Sequence, residues 1–144
     1  MKSELSKAKK KAWEVFSKYI RTRDALRTTG TLDEALCVTC NRRYPIKQLQ
    51  AGHFIPGRHN SILFDEKNCH AQCYGCNVMK KGSTVQYWIF MEKMYGRKAI
   101  NRLIKEDAKI SQGKVYIFKE LEEEYKKKLK LLLDKGIQVC NNVS

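Results

Sequence analysis

The chain has 144 residues, of which 42% are apolar and 31% charged, with only eight glycines and two prolines. That composition suits one compact domain, or a small core with helical arms, and excludes collagen-like, mucin-like and wholly disordered chains. No run approaches the roughly 20 apolar residues of a membrane helix. The basic start MKSELSKAKKKAWEVF has no apolar stretch behind it, so a soluble, cytoplasmic protein without a membrane partner is expected.

Lysine and arginine number 29 against 15 acids, a net charge of +14 with a pI near 9.6. The excess is spread along the chain rather than gathered in a tail, so the folded body itself is basic. Such a surface attracts polyanions through phosphate neutralisation and counterion release, and nucleic acid is the expected partner. The alternatives are a purely solubilising role for the charge, or a membrane or acidic-protein partner.

Residues 4–27 predict an amphipathic helix. Ala8, Ala12, Trp13, Phe16, Tyr19 and Ile20 recur at three-to-four spacing, Ser3 is placed to cap the start, and Gly30 closes the region. Lys7, Lys9, Lys10, Lys11 and Lys18 sit beside that stripe, as a solvated face or a contact to a DNA backbone. Residues 31–82 form a cysteine- and histidine-bearing middle unit. Cys37-Val-Thr-Cys40 and Cys73-Tyr-Gly-Cys76 are two CxxC pairs with 32 residues between them. Two such knuckles can close a tetrahedral four-thiolate zinc site, whereas a thioredoxin-like redox role would use one pair at a helix start. Cys69 is a competing ligand, because on a helix it would lie one turn before Cys73, and Cys140 is expected to be a free thiol.

Between the knuckles, Gln48–Ile55 reads as a short strand ending at Pro56-Gly57, followed by a second apolar run at Ile62–Phe64. A short helix is expected from the second knuckle through Asn77–Lys80 to Gly82. About 50 residues bury little core unaided, so the ion is expected to contribute much of this unit's stability. Beyond Gly82, residues 83–136 predict three helices: one from Thr84 to Gly96, one over 97–109, and one over about 117–135 that stops at Lys135-Gly136. A tail, 137–144, follows. The resulting fold class is α+β, mostly helical, with a small zinc-bound core flanked by amphipathic helices at 1–30 and 83–136.

The chemistry-bearing constellation lies in the middle unit. A histidine at a strand end, His53, and an amide on a following helix, Asn77, can face each other across a groove. Neutral imidazole can take a proton from water near neutral pH. An amide oxygen suits a hard ion such as Mg²⁺ or Mn²⁺, which can polarise a phosphodiester and stabilise the leaving 3′-oxygen. On residue type alone, His53 reads first as a packing or zinc-supporting histidine.

The order CxxC, Gly-His, Asn, CxxC-Asn, Lys-Lys-Gly resembles a zinc-containing HNH (ββα-metal, His-Me finger) nuclease. Ala51-Gly52-His53-Phe54 and Phe64-Asp65-Glu66-Lys67-Asn68-Cys69-His70-Ala71-Gln72-Cys73-Tyr74-Gly75-Cys76-Asn77 are similar to the lambda NinG (Rap) family of phage recombination proteins. The same order is similar to phage endonuclease VII. The resemblance implies that Cys37, Cys40, Cys73 and Cys76 are structural zinc ligands, that His53 is the general base, that Asn77 holds a catalytic ion, and that Asn68 ties down the loop and orients the base. Where many HNH enzymes carry a metal-binding side chain before the base, this chain has Gly52. His70, Asp65 or Glu66 is expected to supply the missing ligand, with His70 favoured. His70 and Asn77 can share one ion only if the helix starts after His70.

The resemblance further implies a structure-selective endonuclease that nicks Holliday junctions, D-loops or forks. A twofold homodimer would suit the symmetry of a junction. Arg42, Arg43, Arg58, Lys80, Lys81, Lys10 and Lys11 are candidates for phosphate contacts. Two alternatives stay open: an HNH nuclease of ordinary duplex or single-stranded DNA, and a non-catalytic zinc-stabilised DNA-binding accessory protein.

Overall fold

The computed structural model describes residues 3–56, 60–109 and 112–142, with the side chains of residues 60, 61 and 139–142 outside that description. Arg58 and the Cys140 side chain therefore lie outside the described residues. The expected amphipathic helix is α1 (Glu4–Thr29). Ser3 caps it by accepting from the Ser6 N–H at 3.2 Å, and Gly30 ends it in the left-handed region at φ 70°. There the Gly30 N–H reaches back to the Leu26 carbonyl, an ending that glycine adopts without steric cost.

After α1 the chain forms two small antiparallel sheets. β1 (Glu34–Leu36) pairs with β2 (Arg43–Pro45), and β3 (Leu49–His53) pairs with β4 (Cys69–Cys73) in the register Leu49↔Cys73, Gly52↔His70 and His53↔Cys69. Short α2 (Asn60–Leu63) lies between β3 and β4. A single π-helical turn, Gly75–Met79, follows β4. Then come α3 (Thr84–Tyr95), α4 (Arg97–Asp107) and α5 (Val115–Asn142). The chain is thus α+β and mostly helical. No helix among the described residues is long and apolar enough to cross a membrane.

Side chains alternate across a strand, so the β3–β4 register sorts them between two faces. Leu49, Ala51, Cys69 and Ala71 face α1, where Phe16, Ile20 and Ala25 cover them. Gly52, His70 and Gln72 face the opposite side, toward Tyr87 of α3 and the first CxxC turn. α1 is also clasped by α5. Phe118 packs on Ala8 and Ala12, and Tyr125 meets Phe16 edge-on with ring centroids 4.8 Å apart. The apolar stripe of α1 is thereby covered within one chain.

Two sequence expectations are corrected here. Residues 69–73 are a strand rather than a helix, so Cys69 is not one turn from Cys73; its thiol is sealed between α1 and α5 and pushed well up by burial. Gly136 does not stop the last helix, which continues through the expected tail to Asn142. It lies where a Cβ would sit 2.7 Å from the Leu32 side chain, so it serves close packing of α5 on the loop after α1.

One buried ion cluster joins α1 to the sheet. Asp24, 1% exposed, accepts from Arg23 Nε at 2.9 Å, is reached by Arg27 at 3.1 Å, and accepts the Ala71 backbone N–H of β4 at 2.7 Å. The Arg23 guanidinium also donates to the carbonyls of Glu66 and Cys69, both at 2.8 Å. Asp24→Ala leaves two guanidinium groups and a strand N–H without their acceptor. It is expected to cost about 3–5 kcal/mol in urea unfolding at fixed zinc concentration.

Candidate metal centre and active site

Cys37 and Cys40 lie on the turn between β1 and β2. Asn41 closes that turn at φ 58°, its N–H donating to the Cys37 carbonyl at 3.0 Å. Cys73 ends β4 and Cys76 lies in the π-helical turn. The four sulfurs lie within 4.8 Å of one another, and those of Cys40 and Cys73 are 3.9 Å apart. A tetrahedron with metal–sulfur bonds of about 2.3 Å has edges of about 3.8 Å, so this set fits a zinc-sized ion with no open position. Backbone N–H groups support the sulfurs: Cys73 N–H points at Cys37 Sγ (3.4 Å) and Cys76 N–H at Cys73 Sγ (3.5 Å). Burial opposes ionisation of Cys37, yet the N–H groups of Cys40 and Cys73 hold its thiol down to about 6, while burial pushes Cys40 up to about 12. A divalent cation would draw off the remaining protons, and metal binding would release them.

The second centre begins where β3 ends. The His53 ring stacks on Trp13 of α1, with centroids 5.0 Å apart and planes 21° from parallel. His53 Nε2 is 3.1 Å from the Leu63 carbonyl, an oxygen that can only accept, so Nε2 carries the proton and Nδ1 keeps its lone pair. Burial lowers the His53 pKa, against the opposing pull of the Leu63 carbonyl. The ring is therefore neutral over a wider range than an exposed imidazole.

His53 lines a pocket of about 140 Å³ with Phe54, Pro56, Asn77, Lys81, Gly82 and Thr84. The strand end and the amide are thus brought to one concavity. Asn77 Nδ2 donates to Gln50 Oε1 at 2.7 Å, which turns the amide so that Oδ1 remains to meet a cation or a donor. Asn68, fully buried, accepts from the Ile55 N–H at 2.9 Å and donates to the carbonyls of Ile55 (3.1 Å) and Ile62 (3.3 Å). It pins the exit of β3 to α2, which carries the Leu63 carbonyl that orients His53.

The family model described as "Bacteriophage Lambda NinG protein" matches residues 2–135. The chain belongs to the NinG family. Protein ninG of Salmonella phage P22 is 30% identical over 126 residues, covering 87% of this chain and 57% of that protein. Protein ninG of Escherichia phage lambda is 27% identical over 122 residues, covering 84% and 55%. The chain thus spans a little over half the length of these NinG relatives. No solved structure matches it.

Several expected site residues of this NinG-family chain lie elsewhere. His70 is fully buried, with Nδ1 3.0 Å from the Tyr87 hydroxyl and Nε2 2.7 Å from the Tyr95 hydroxyl. Burial, then Arg23 and Arg27, hold its pKa well below the ordinary value. Both ring nitrogens are engaged, so His70 is a core residue and not a ligand beside Asn77. Asp65 is paired with Arg102 at 3.0 Å and also accepts the Lys67 N–H; Glu66 is held by Lys128 (3.0 Å) and Tyr125 (3.2 Å). Neither lines the pocket. Among the described residues no carboxylate lines the pocket, and the space beside Gly52 is taken by Gln72.

Gly52 has a packing reason of its own. A Cβ there would fall 2.1 Å from Gln72 Oε1. Gln72 is fully buried and donates to the Thr39 hydroxyl at 3.1 Å and the Gly82 carbonyl at 2.9 Å, tying β4 to the first CxxC turn and to the turn that carries Lys81. Lys81, Gly82 and Ser83 all adopt positive φ, so that turn is costly for its two non-glycine residues and needs such anchors.

Among the phosphate-contact candidates, Lys81 lines the pocket, while Lys80, Lys11 and Arg42 are exposed. Lys10 is 3.9 Å from Glu14, and Arg43 is paired with Glu34. Trp13, read from sequence only as part of an apolar stripe, is the site residue that reasoning missed. Nothing in its spacing signals that it stacks on a histidine 40 positions away.

Two outcomes are expected. Metal analysis of the purified chain should find one zinc per chain, and Cys76→Ser should lose it. Gly52→Ala should cost about 1–3 kcal/mol by forcing the Gln72 side chain aside. Adding Gln72→Ala should cost less than the sum of the two single changes in a double-mutant cycle, because the clash is then gone.

Proposed function

We propose that this chain is a zinc-stabilised HNH-type endonuclease of phage recombination, nicking Holliday junctions and other branched DNA by phosphodiester hydrolysis. The observation that carries this reading is that His53, neutral and with Nδ1 unprotonated, lines the same pocket as Asn77 and Lys81. The basic surface and the NinG family membership agree with it.

In this mechanism a phosphodiester enters the pocket with its charge offset by the Lys81 ammonium. Water gives its proton to His53 Nδ1 as its oxygen bonds to phosphorus. The P–O3′ bond breaks, and O3′ takes up a proton from solvent. Trp13 and the Leu63 carbonyl hold the ring in place throughout. Asn77 Oδ1 is the side-chain amide oxygen of the pocket that would hold a divalent ion, the lining containing no carboxylate among the described residues. When bound, Mg²⁺ or Mn²⁺ would supply charge stabilisation to the phosphate. Junction symmetry favours a homodimer, formed through surfaces other than the α1 stripe that α5 covers.

The carboxylate-free lining favours one second reading, a zinc-stabilised DNA-binding protein of recombination without catalysis. An end-labelled four-way junction, linear duplex and single strand, each with Mg²⁺ or Mn²⁺, separate the possibilities. Symmetric nicks near the branch support the proposal, and equal cutting of linear duplex points to an unselective nuclease. Binding without cutting under either ion supports the second reading.

His53→Ala should lower the nicking rate by about a hundredfold or more while zinc content and junction binding stay unchanged. The sign of the pH dependence follows from the lowered His53 pKa. A neutral base is present above that pKa, so the midpoint of the acid-side loss of nicking should lie below the ordinary imidazole value of 6.5. A midpoint above that value would count against His53 as the base.

A further inference from the structure

The turn beside the pocket carries a feature that the hydrolytic scheme does not use. Met79, at the end of the π-helical turn, is 74% exposed, the most exposed large apolar side chain among the described residues, and its neighbour Val78 is 48% exposed. An isolated exposed methionine is unremarkable on a loose loop. This one is held on a braced scaffold. Lys80 N–H donates to the Gly75 carbonyl (2.9 Å), Gly82 N–H to that of Cys76 (2.8 Å), and Ser83 N–H to that of Lys80 (3.0 Å). Cys76 belongs to the four-sulfur cluster on one side, and Gln72 holds the Gly82 carbonyl on the other. Two residues before Met79 is Asn77 of the pocket. Directly after it come Lys80 and Lys81, neither of which forms an ion pair among the described residues.

An apolar tip followed in the chain by two lysines that form no ion pair among the described residues, next to the pocket that holds Asn77 and Lys81, has the chemistry of an unstacking wedge. Nucleic-acid-binding proteins insert such side chains, methionine among them, between base steps while adjacent cations hold the phosphates. Insertion costs unstacking energy, and that cost is least where the stack is already interrupted, as at a branch point. A protein partner would bury the same methionine, but only one that also carried acidic groups at that spot would compensate the two neighbouring lysines, whereas a nucleic-acid backbone presents phosphates beside every base step.

We propose that Met79 enters the base stack at interrupted or branched DNA, with Lys80 and Lys81 gripping the flanking phosphates, and so sets the preference for branched over linear substrate. This inference rests on the nuclease reading for its biological purpose, but not for its test.

The experiment uses the full zinc-loaded chain carrying His53→Ala, so that no cutting intervenes, and a four-way junction with 2-aminopurine beside the branch. Binding should raise the fluorescence about twofold or more, and Met79→Ala should abolish the rise while zinc content and linear-duplex affinity stay within about twofold. Met79→Leu, which keeps an apolar tip, should retain the rise. An undiminished rise with Met79→Ala overturns the proposal, as does failure of the chain to bind junction DNA. Loss of self-association in Met79→Ala, with fluorescence unchanged, would make this surface a protein interface and also overturn it. A Met79-dependent rise in a chain whose His53-bearing form never cuts would uphold the wedge and sink the nuclease reading alone.

Discussion

The register of β3 against β4 is the constraint from which the rest of the site follows. Pairing Gly52 with His70 and His53 with Cys69 sends one histidine toward Trp13 at the strand end and buries the other between two tyrosines. A slip of one residue would exchange the faces. Gln72 would then lose its place against Gly52, and Cys73 its position among the sulfurs. Five paired residues cannot hold a register unaided, since isolated two-stranded sheets are marginal in water. Here the pairing is fixed from outside: by α1 through Asp24 and Arg23, by α3 through the Tyr87 hydroxyl on the Gly52 carbonyl at 2.7 Å, and by the cysteine cluster at the β4 end.

These supports differ in kind. The aromatic packing of Phe16, Phe64 and Tyr125 is non-directional and supplies burial. The Asp24 carboxylate is directional, accepting one particular strand N–H, and so selects a register rather than merely favouring compactness. A zinc ion in the cluster would contribute on the order of 10 kcal/mol. That energy would couple the first CxxC turn to β4 and to the turn bearing Asn77 and Lys81. Stability of the sheet and geometry of the pocket are in this way the same problem.

Much of this was legible in the sequence, for identifiable reasons. α1 and α3 announced themselves by apolar spacing and terminal glycines, and the paired CxxC motifs announced a four-sulfur cluster, because both signals are local or depend on residue type. The strand ending at His53 was legible from its turn signal. What failed depended on partners distant in the chain. His70 looks like a ligand by its chemistry, and only the positions of Tyr87 and Tyr95 reveal that both its nitrogens are occupied. Gly52 looks like a lost ligand until Gln72 is seen filling the space. Gly136 has the composition of a helix stop, yet the approach of Leu32 gives it a packing role inside a helix that continues.

Asn68 has a consequence for variation. Its amide accepts from and donates to Ile55 as a neighbouring strand would, and it holds Ile62 with its remaining hydrogen. A single side chain therefore substitutes for a rung of sheet and clamps both ends of the connection between β3 and α2. The imidazole thereby stays registered to its backbone acceptor through one amide rather than through further strand pairing. Losing that amide would therefore disturb the strand exit and the base's acceptor together, which makes position 68 intolerant of change for reasons of architecture rather than of chemistry at the phosphate.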